Sequence, residues 1–199
     1  MITSILIVLF AYLCGSISTA VWYGRIIHRV DIRSHGSGNA GATNSLRVLG
    51  KKAGVVVLIV DFLKGLLPVL LARYLGFDEL IILLAGFAAV IGHLLPIFSN
   101  FQGGKGVATS MGVITGIFPI GALACFVVFA IVVVLTKYVS LGSILGAIAF
   151  PVAVAISPKV DSLILVIFGV SLALLIAYTH RKNIERLLSG NESKLGKSV

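Results

Sequence analysis

The chain has 199 residues, of which 58% are hydrophobic and only 12% charged, whereas a soluble domain of this size is nearer half apolar and a quarter charged. A water-soluble globule is thereby excluded and a membrane protein expected. Sixteen Lys and Arg stand against seven Asp and Glu, a net charge of +9; this reads as the excess of cytoplasmic loops beside anionic headgroups rather than as a nucleic-acid footprint.

Crossing a hydrocarbon core of about 30 Å at about 1.5 Å per residue takes roughly 20 apolar residues. Residues 2–23 form the first such run. No Lys or Arg precedes it and no A-x-A-like cleavage site follows, so it is expected to be a retained span. Residues 53–75 and 80–98 are the second and third. Between Lys105 and Lys137 lie 31 uncharged residues, too long for one upright helix and somewhat short for two full ones. Pro119, with Gly116 and Gly121 around it, predicts a break near Phe118-Pro119 and two shortish helices. Residues 139–157 and 162–179 complete seven spans; one long tilted helix in the difficult stretch would give six. Cys14 and Cys125 lie inside apolar runs and read as small buried hydrophobes, with no disulfide framework or metal site.

Charge arbitrates between six spans and seven. With seven, thirteen of the sixteen basic residues fall on one side. They are Arg25, Arg29, Arg33, Arg47, Lys51 and Lys52 in loop one, Lys105 in loop three, Lys137 in loop five, and Arg181, Lys182, Arg186, Lys194 and Lys197 in the tail. The other side holds Arg73 and Lys159 beside Asp78, Glu79 and Asp161. The positive-inside rule makes the thirteen cytoplasmic, whereas six spans would export the basic tail. The expected fold class is all-α: a polytopic integral membrane bundle of seven transmembrane helices, one domain over residues 1–199, with the N-terminus outside and the C-terminus cytoplasmic. Cytoplasmic loops are expected at 25–52, 99–106 and 136–139, with the tail at 180–199.

Loop one contains GSGNAGATN (36–44), followed by Arg47. It satisfies G-x-G-x-x-G, but no strand precedes it and no βαβ unit could hold it, so the dinucleotide label fails. Three glycines still permit close backbone approach, and Ser37, Asn39, Thr43 and Asn44 add polar side chains. Such a segment entering a short helix can form an anion nest. Arg47, one helical turn after Thr43, can add a bidentate cation. The plainer alternative is a flexible surface loop.

Loop three, GHLLPIFSNFQGGKG (92–106), is not a Walker A loop: Ser99 stands where the first glycine is required, and Gly106 follows the lysine. Gly103-Gly104-Lys105-Gly106 nonetheless offers bare backbone N–H groups, a cation and a helix start, a small phosphate cradle; a structural turn is the alternative. His93 lies near the end of span three, where a hydrogen-bonded packing role competes with chemistry. A third cluster pairs Ser140 and Ser143, which share a helix face, with His180, Arg181 and Asn183 at the end of span seven. Three polar clusters on one face of a small bundle suggest convergence on one site. Asp61 and Lys64, at i, i+3 inside span two, are expected to neutralise each other; in a transporter they would be coupling residues. Gly112/Gly116 and Gly142/Gly146 suit close helix packing.

Together, GSGNAGATN with Arg47, the Asp61-Phe62-Leu63-Lys64-Gly65 segment, GHLLPIFSNFQGGKG and the closing His180-Arg181-x-Asn183 run resemble the bacterial acyl-phosphate:glycerol-3-phosphate acyltransferases, the PlsY family, in order over nearly the whole chain. Ala40 stands where proline is common and Gln102 where lysine is common. The resemblance implies a bacterial inner-membrane enzyme whose active site faces the cytoplasm. It would transfer an acyl group from acyl phosphate to the sn-1 hydroxyl of glycerol 3-phosphate, giving lysophosphatidic acid and inorganic phosphate, the first step of phospholipid synthesis. No cofactor, metal or nucleic-acid partner is implied. By resemblance, Arg47, Lys105, Ser143, His180 and Asn183 hold glycerol 3-phosphate, while Ser37, Asn39, Gly41, Thr43, Asn44 and the Gly103-Gly104 turn hold the acyl phosphate. His180, Lys105, Arg47 and Ser37 are the catalytic candidates, His180 serving either as base or as phosphate ligand. No G-x-S-x-G motif supports an acyl-enzyme, so direct transfer by positioning and charge stabilisation is expected. The rivals are a transporter of a phosphorylated metabolite, which predicts midplane ligands and internal repeats, and a lipid-binding scaffold.

Overall fold

The structure, a computed structural model, describes residues 1–158 and 162–196. Lys159, Asp161 and Lys197, used above to argue sidedness, lie outside the described residues. Ten α-helices and no strand occur among those described, in two compact units, Met1–Ile117 and Phe118–Val199.

The first unit opens with α1 (Ile2–Gly15) and α2 (Thr19–Tyr23), the latter running into a π-helical turn, Gly24–His28. The two are bent by 40°, so the first span is broken where one continuous helix over 2–23 was expected. Ser16-Ile17-Ser18 supplies the cause: serine side chains compete for local backbone groups, and the Ser16 hydroxyl donates back to the Tyr12 carbonyl at 2.9 Å. A freed carbonyl at membrane depth costs several kcal/mol unless a partner is found. Lys64 Nζ provides it, donating to the Ile17 carbonyl at 2.8 Å and pairing with Asp61 Oδ1 at 2.9 Å. The same oxygen accepts from Thr19 Oγ1 at 2.9 Å. The buried pair is thus mutual, as expected, and also splices the broken helix.

Next come α3 (Ala42–Leu49), α4 (Lys51–Tyr74), α5 (Glu79–Leu94) and α6 (Val107–Ile117). Helix α5 stops short of the expected residue 98 because Pro96 disfavours helix in the residue before it, and Ile97–Ser99 forms a 3₁₀ turn instead. Glycines bring backbones together. Gly15 lies against Ala89, and Gly112 against the backbone of Phe62 and Leu66, positions with no room for a Cβ.

The second unit comprises α7 (Pro119–Thr136), α8 (Val139–Ala155), α9 (Leu163–Thr179) and α10 (Arg181–Leu188). The break at Phe118 falls where the sequence placed it, with Pro119 at the first helical position, where its missing N–H is harmless. The helices on either side are unequal: α7 has 18 residues, but α6 has 11, about 16 Å of rise. Gly142 and Gly146 pack on Phe129 and Cys125 of α7.

By length and composition, Lys51–Tyr74, Glu79–Ser99 and Pro119–Thr136 can each cross a membrane; counting the bent pairs Ile2–Gly15 with Thr19–His28 and Leu163–Thr179 with Arg181–Leu188 brings the number to five. Helices α6 and α8 are shorter apolar helices. Large apolar side chains remain exposed along the spans, for example Leu58, Ile59 and Leu67 on α4 and Ile120, Leu123 and Val134 on α7. That is the surface expected of a protein solvated by lipid.

Candidate active site

In the first unit, the loop between the π-turn and α3 is shaped by its own polar groups. Asp31 Oδ1 accepts from the Arg33 backbone N–H and from Arg33 Nε, while its Oδ2 accepts from Nη2 of Arg33 at 2.6 Å and of Arg25 at 2.8 Å. The Arg33 hydrogen bonds hold the Asp31 carboxyl well below the ordinary carboxylate range, against the opposing effect of partial burial. Asn44, buried on α3, closes the glycine segment. Its Oδ1 accepts from the Ser37 N–H at 2.9 Å, and its Nδ2 donates to the carbonyls of Ile32 and His35. Gly36 has φ +58° and leaves no space for a Cβ beside Asn44. The Asn44 amide, grouped above with the phosphate ligands, is therefore occupied in holding the loop.

Gly41, in extended conformation, precedes α3, and no side chain caps the helix. Its first N–H groups form the electropositive end that anions favour, and Ser37, Asn39 and Thr43 stand close to that end in the chain. Arg47 lies one turn further along α3, on the face that carries Thr43. No protein group among the described residues hydrogen-bonds or ion-pairs with the Ser37 hydroxyl, Thr43 or Arg47 side chains, which leaves their polar atoms available to a ligand.

The second glycine turn joins this loop directly. Gly104 N–H donates to the His93 carbonyl at 3.2 Å, and a Cβ on Gly104 would meet the Ala40 carbonyl at 2.8 Å. Arg33 Nη1 donates to the Ser99 carbonyl at 3.0 Å, tying the two segments a second time. A Cβ on Gly103 would run into the His93 carbonyl. GSGNAGATN and Gly103-Gly104-Lys105 are thus brought together, with Arg33 as the tie, and Lys105 stands two residues before the start of α6 at Val107.

In the second unit, a carboxylate organises the polar cluster. Glu192, its side chain 6% exposed, accepts from Ser140 Oγ at 2.7 Å and Asn183 Nδ2 at 2.6 Å through Oε1, and from Arg186 Nε at 2.7 Å through Oε2. Burial raises this carboxyl, but the hydrogen bonds from Asn183, Ser140 and Arg186 outweigh it and leave Glu192 below its ordinary value. Ser143 Oγ donates to the Val139 carbonyl at 2.8 Å. His180 is buried, and its Nδ1 lies 2.8 Å from the Ile176 carbonyl. A carbonyl can only accept, so that nitrogen carries the proton. Asn183 and Ser140 meet on Glu192, while Ser143 and His180 lie on α8 and at the end of α9.

Glu192 and Asp31 were missed as organisers by the sequence reading. The only signal was the scarcity of carboxylates in strongly basic segments, Asp31 alone in loop one and Glu192 with Glu185 in the tail. Among the described residues no group of His, Cys, Asp and Glu side chains is arranged to hold a metal ion.

A family model described as glycerol-3-phosphate acyltransferase matches residues 5–190. The chain belongs to the glycerol-3-phosphate acyltransferase family. Relatives of that name include proteins from Chlorobaculum tepidum, 43% identical over 98% of this chain and 97% of theirs, and from Geotalea daltonii, 45% identical over 97% and 98%. Solved structures of PlsY, an integral membrane glycerol 3-phosphate acyltransferase, agree with this fold. Its glycerol 3-phosphate form superposes with a TM-score of 0.89 at 41% identity, covering 98% of this chain and 96% of that one. Its lysophosphatidic acid form gives 0.88 at 39% identity, with the same coverage. As an acyltransferase of this family, the chain is an integral membrane enzyme of phospholipid biosynthesis, and the expected resemblance stands.

Proposed function

We propose that this acyltransferase takes its acyl group from acyl phosphate and delivers it to the sn-1 hydroxyl of glycerol 3-phosphate, releasing lysophosphatidic acid and inorganic phosphate. The observation that carries the reading is the meeting of two glycine-rich, anion-suited turns at Ala40 and Gly104, beside Lys105, in a chain of this family. Exposed Ile97, Phe98 and Phe101 in the same loop as Lys105 offer apolar surface suited to the acyl chain of the donor.

In the proposed reaction the sn-1 oxygen attacks the acyl carbonyl carbon, a tetrahedral oxyanion forms, the bond from that carbon to the phosphate oxygen breaks, and the departing phosphate takes the hydroxyl proton. The donor is already a mixed anhydride, so the protein's task is orientation and charge stabilisation. We assign Ser37, Asn39, Gly41 and Thr43 with the Gly103-Gly104 turn to the acyl phosphate, and Arg47, Lys105, Ser143, His180 and Asn183 to glycerol 3-phosphate. Asn44 acts by shaping the loop. His180 serves as a phosphate ligand.

The whole chain is proposed to work as one enzyme in the bacterial inner membrane, crossing it seven times with the N-terminus outside and the site facing the cytoplasm. The grouping of basic residues supports this sidedness. Purified protein in detergent, given acyl phosphate and glycerol 3-phosphate, is expected to release inorganic phosphate only when both are present; no release above background overturns the reading. A reporter fused after Val199 is expected to be cytoplasmic, and an external reporter would refute the seven-span topology.

A further inference from the structure

The proposed reaction gives no task to a buried histidine of the first unit. His93, near the end of α5, is 5% exposed. Its Nδ1 is buried, has no hydrogen-bond partner, and lies 3.8 Å from Asp61 Oδ1. The opposite edge of the ring closes on the second glycine turn: a Cβ on Gly104 would strike Nε2 and lie 2.9 Å from Cε1. The backbone of the same residue also holds the turn, since its carbonyl accepts from the Gly104 N–H and fills the space that a Cβ on Gly103 would need.

We propose that His93 is a positioning residue that sets the place of the Gly103-Gly104 turn and, through it, of Lys105. Asp61 is itself fixed by Lys64 and Thr19. Its carboxylate facing Nδ1 favours the tautomer protonated there, which turns the Nε2 lone pair toward Gly104. The imidazole is then a rigid spacer between an anchored carboxylate in α4 and an anion-binding turn that has no side chains of its own to fix its height. Displacing such a turn moves the N–H groups and the lysine proposed to hold substrate phosphate, which weakens binding. A histidine that only filled core volume would be replaced without kinetic consequence by a leucine.

This inference rests on the acyltransferase reading, so the wild-type protein is assayed alongside each variant. Absence of phosphate release by wild type refutes that reading, whereas the comparison of variants addresses His93. Each is purified in detergent, its thermal midpoint measured, and acyl phosphate and glycerol 3-phosphate varied in turn. His93→Leu is expected to raise KM for at least one of the two substrates about tenfold, with kcat and the thermal midpoint little changed. His93→Gln, whose longer side chain can place an amide where Nε2 stood, is expected to recover most of that loss. Wild-type KM values in His93→Leu overturn the proposal, as do identical kinetics in the Leu and Gln variants, or a fall in kcat and thermal midpoint with KM unmoved. Should His93→Leu fail to fold, Gly104→Ala decides the matter. Its methyl would strike His93 Nε2 and also lie 2.8 Å from the Ala40 carbonyl, so adding His93→Asn, whose shorter side chain removes the first clash, is expected to relieve part of its KM defect; a defect that persists unchanged overturns the proposal.

Discussion

The polar clusters of the two units are built from different materials. In the first, backbone does most of the work: glycine turns 36–41 and 103–104 pack against carbonyl oxygens, and the side chains Asp31, Arg33 and Asn44 serve to hold backbone in place. In the second, side chains from α8 and α10 gather on one carboxylate, Glu192, which follows them in the chain. A backbone cluster exposes N–H groups suited to phosphate but cannot accommodate an added methyl group. A carboxylate-centred cluster tolerates changes of shape better and depends on charge. Steric substitutions should therefore disorder the first and removal of charge the second, apart from the part that Lys105 is proposed to take in the reaction itself.

The largest expected effect tests whether the backbone cluster needs its cation. Lys105→Ala should lower phosphate release about 10²–10³-fold, the usual consequence of removing one stabilising group from a reacting centre. A loss below tenfold would mean that the turns alone suffice. Gly103→Ala comes next: its Cβ has no space beside the His93 and Leu94 carbonyls, and a shifted turn should cost about 10²-fold in activity. Near-normal kinetics in that variant would erase the steric half of the contrast.

For the carboxylate-centred cluster, Glu192→Ala leaves Ser140, Asn183 and Arg186 without their shared acceptor. A loss of about 2 kcal/mol in stability is expected, read as a lowered thermal midpoint; Glu192→Gln should restore only part of it. Acid should act on both clusters. Asp31 and Glu192 have folded-state values depressed below their unfolded ones, so the unfolded chain binds more protons and stability rises with pH. Their contribution should be complete above the ordinary carboxylate range, about pH 4, and decline as pH falls through the folded-state values; Asp31→Asn should flatten that decline. Gly76→Ala should have the smallest effect. Gly76 has φ +74° with open space around it, so the substitution should cost about 1 kcal/mol with unchanged kinetics, separating backbone strain in general from crowding at the site.

Much of this protein is legible in its sequence because apolar runs are local and long. The segments around 53–75, 139–157 and 162–179 became helices with small changes at their ends, and Pro119 marked the break at Phe118. Where polar residues sit inside an apolar run, local reading failed. Ser16-Ile17-Ser18 was passed over as part of one helix, because its break depends on Lys64, nearly fifty residues away, to satisfy the Ile17 carbonyl. Asn44 read as a ligand because an amide in a glycine-rich loop has the same sequence signature whether it faces a substrate or its own backbone. Glu192 read as nothing, since a carboxylate in a basic tail becomes informative only when the segment after α10 brings it back onto Asn183 and Arg186.

By itself the sequence determined the solvent, the helical class, the family and the glycine-rich segments fit to approach phosphate, because hydropathy and backbone freedom belong to residues and their near neighbours. The tertiary structure decided which polar groups are occupied and which are left for a ligand. It matched Lys64 to a broken helix, Asn44 to its own loop, Glu192 to three donors and His93 to Gly104. Buried polar atoms must find partners wherever the fold supplies them, and those partners are distant in the chain.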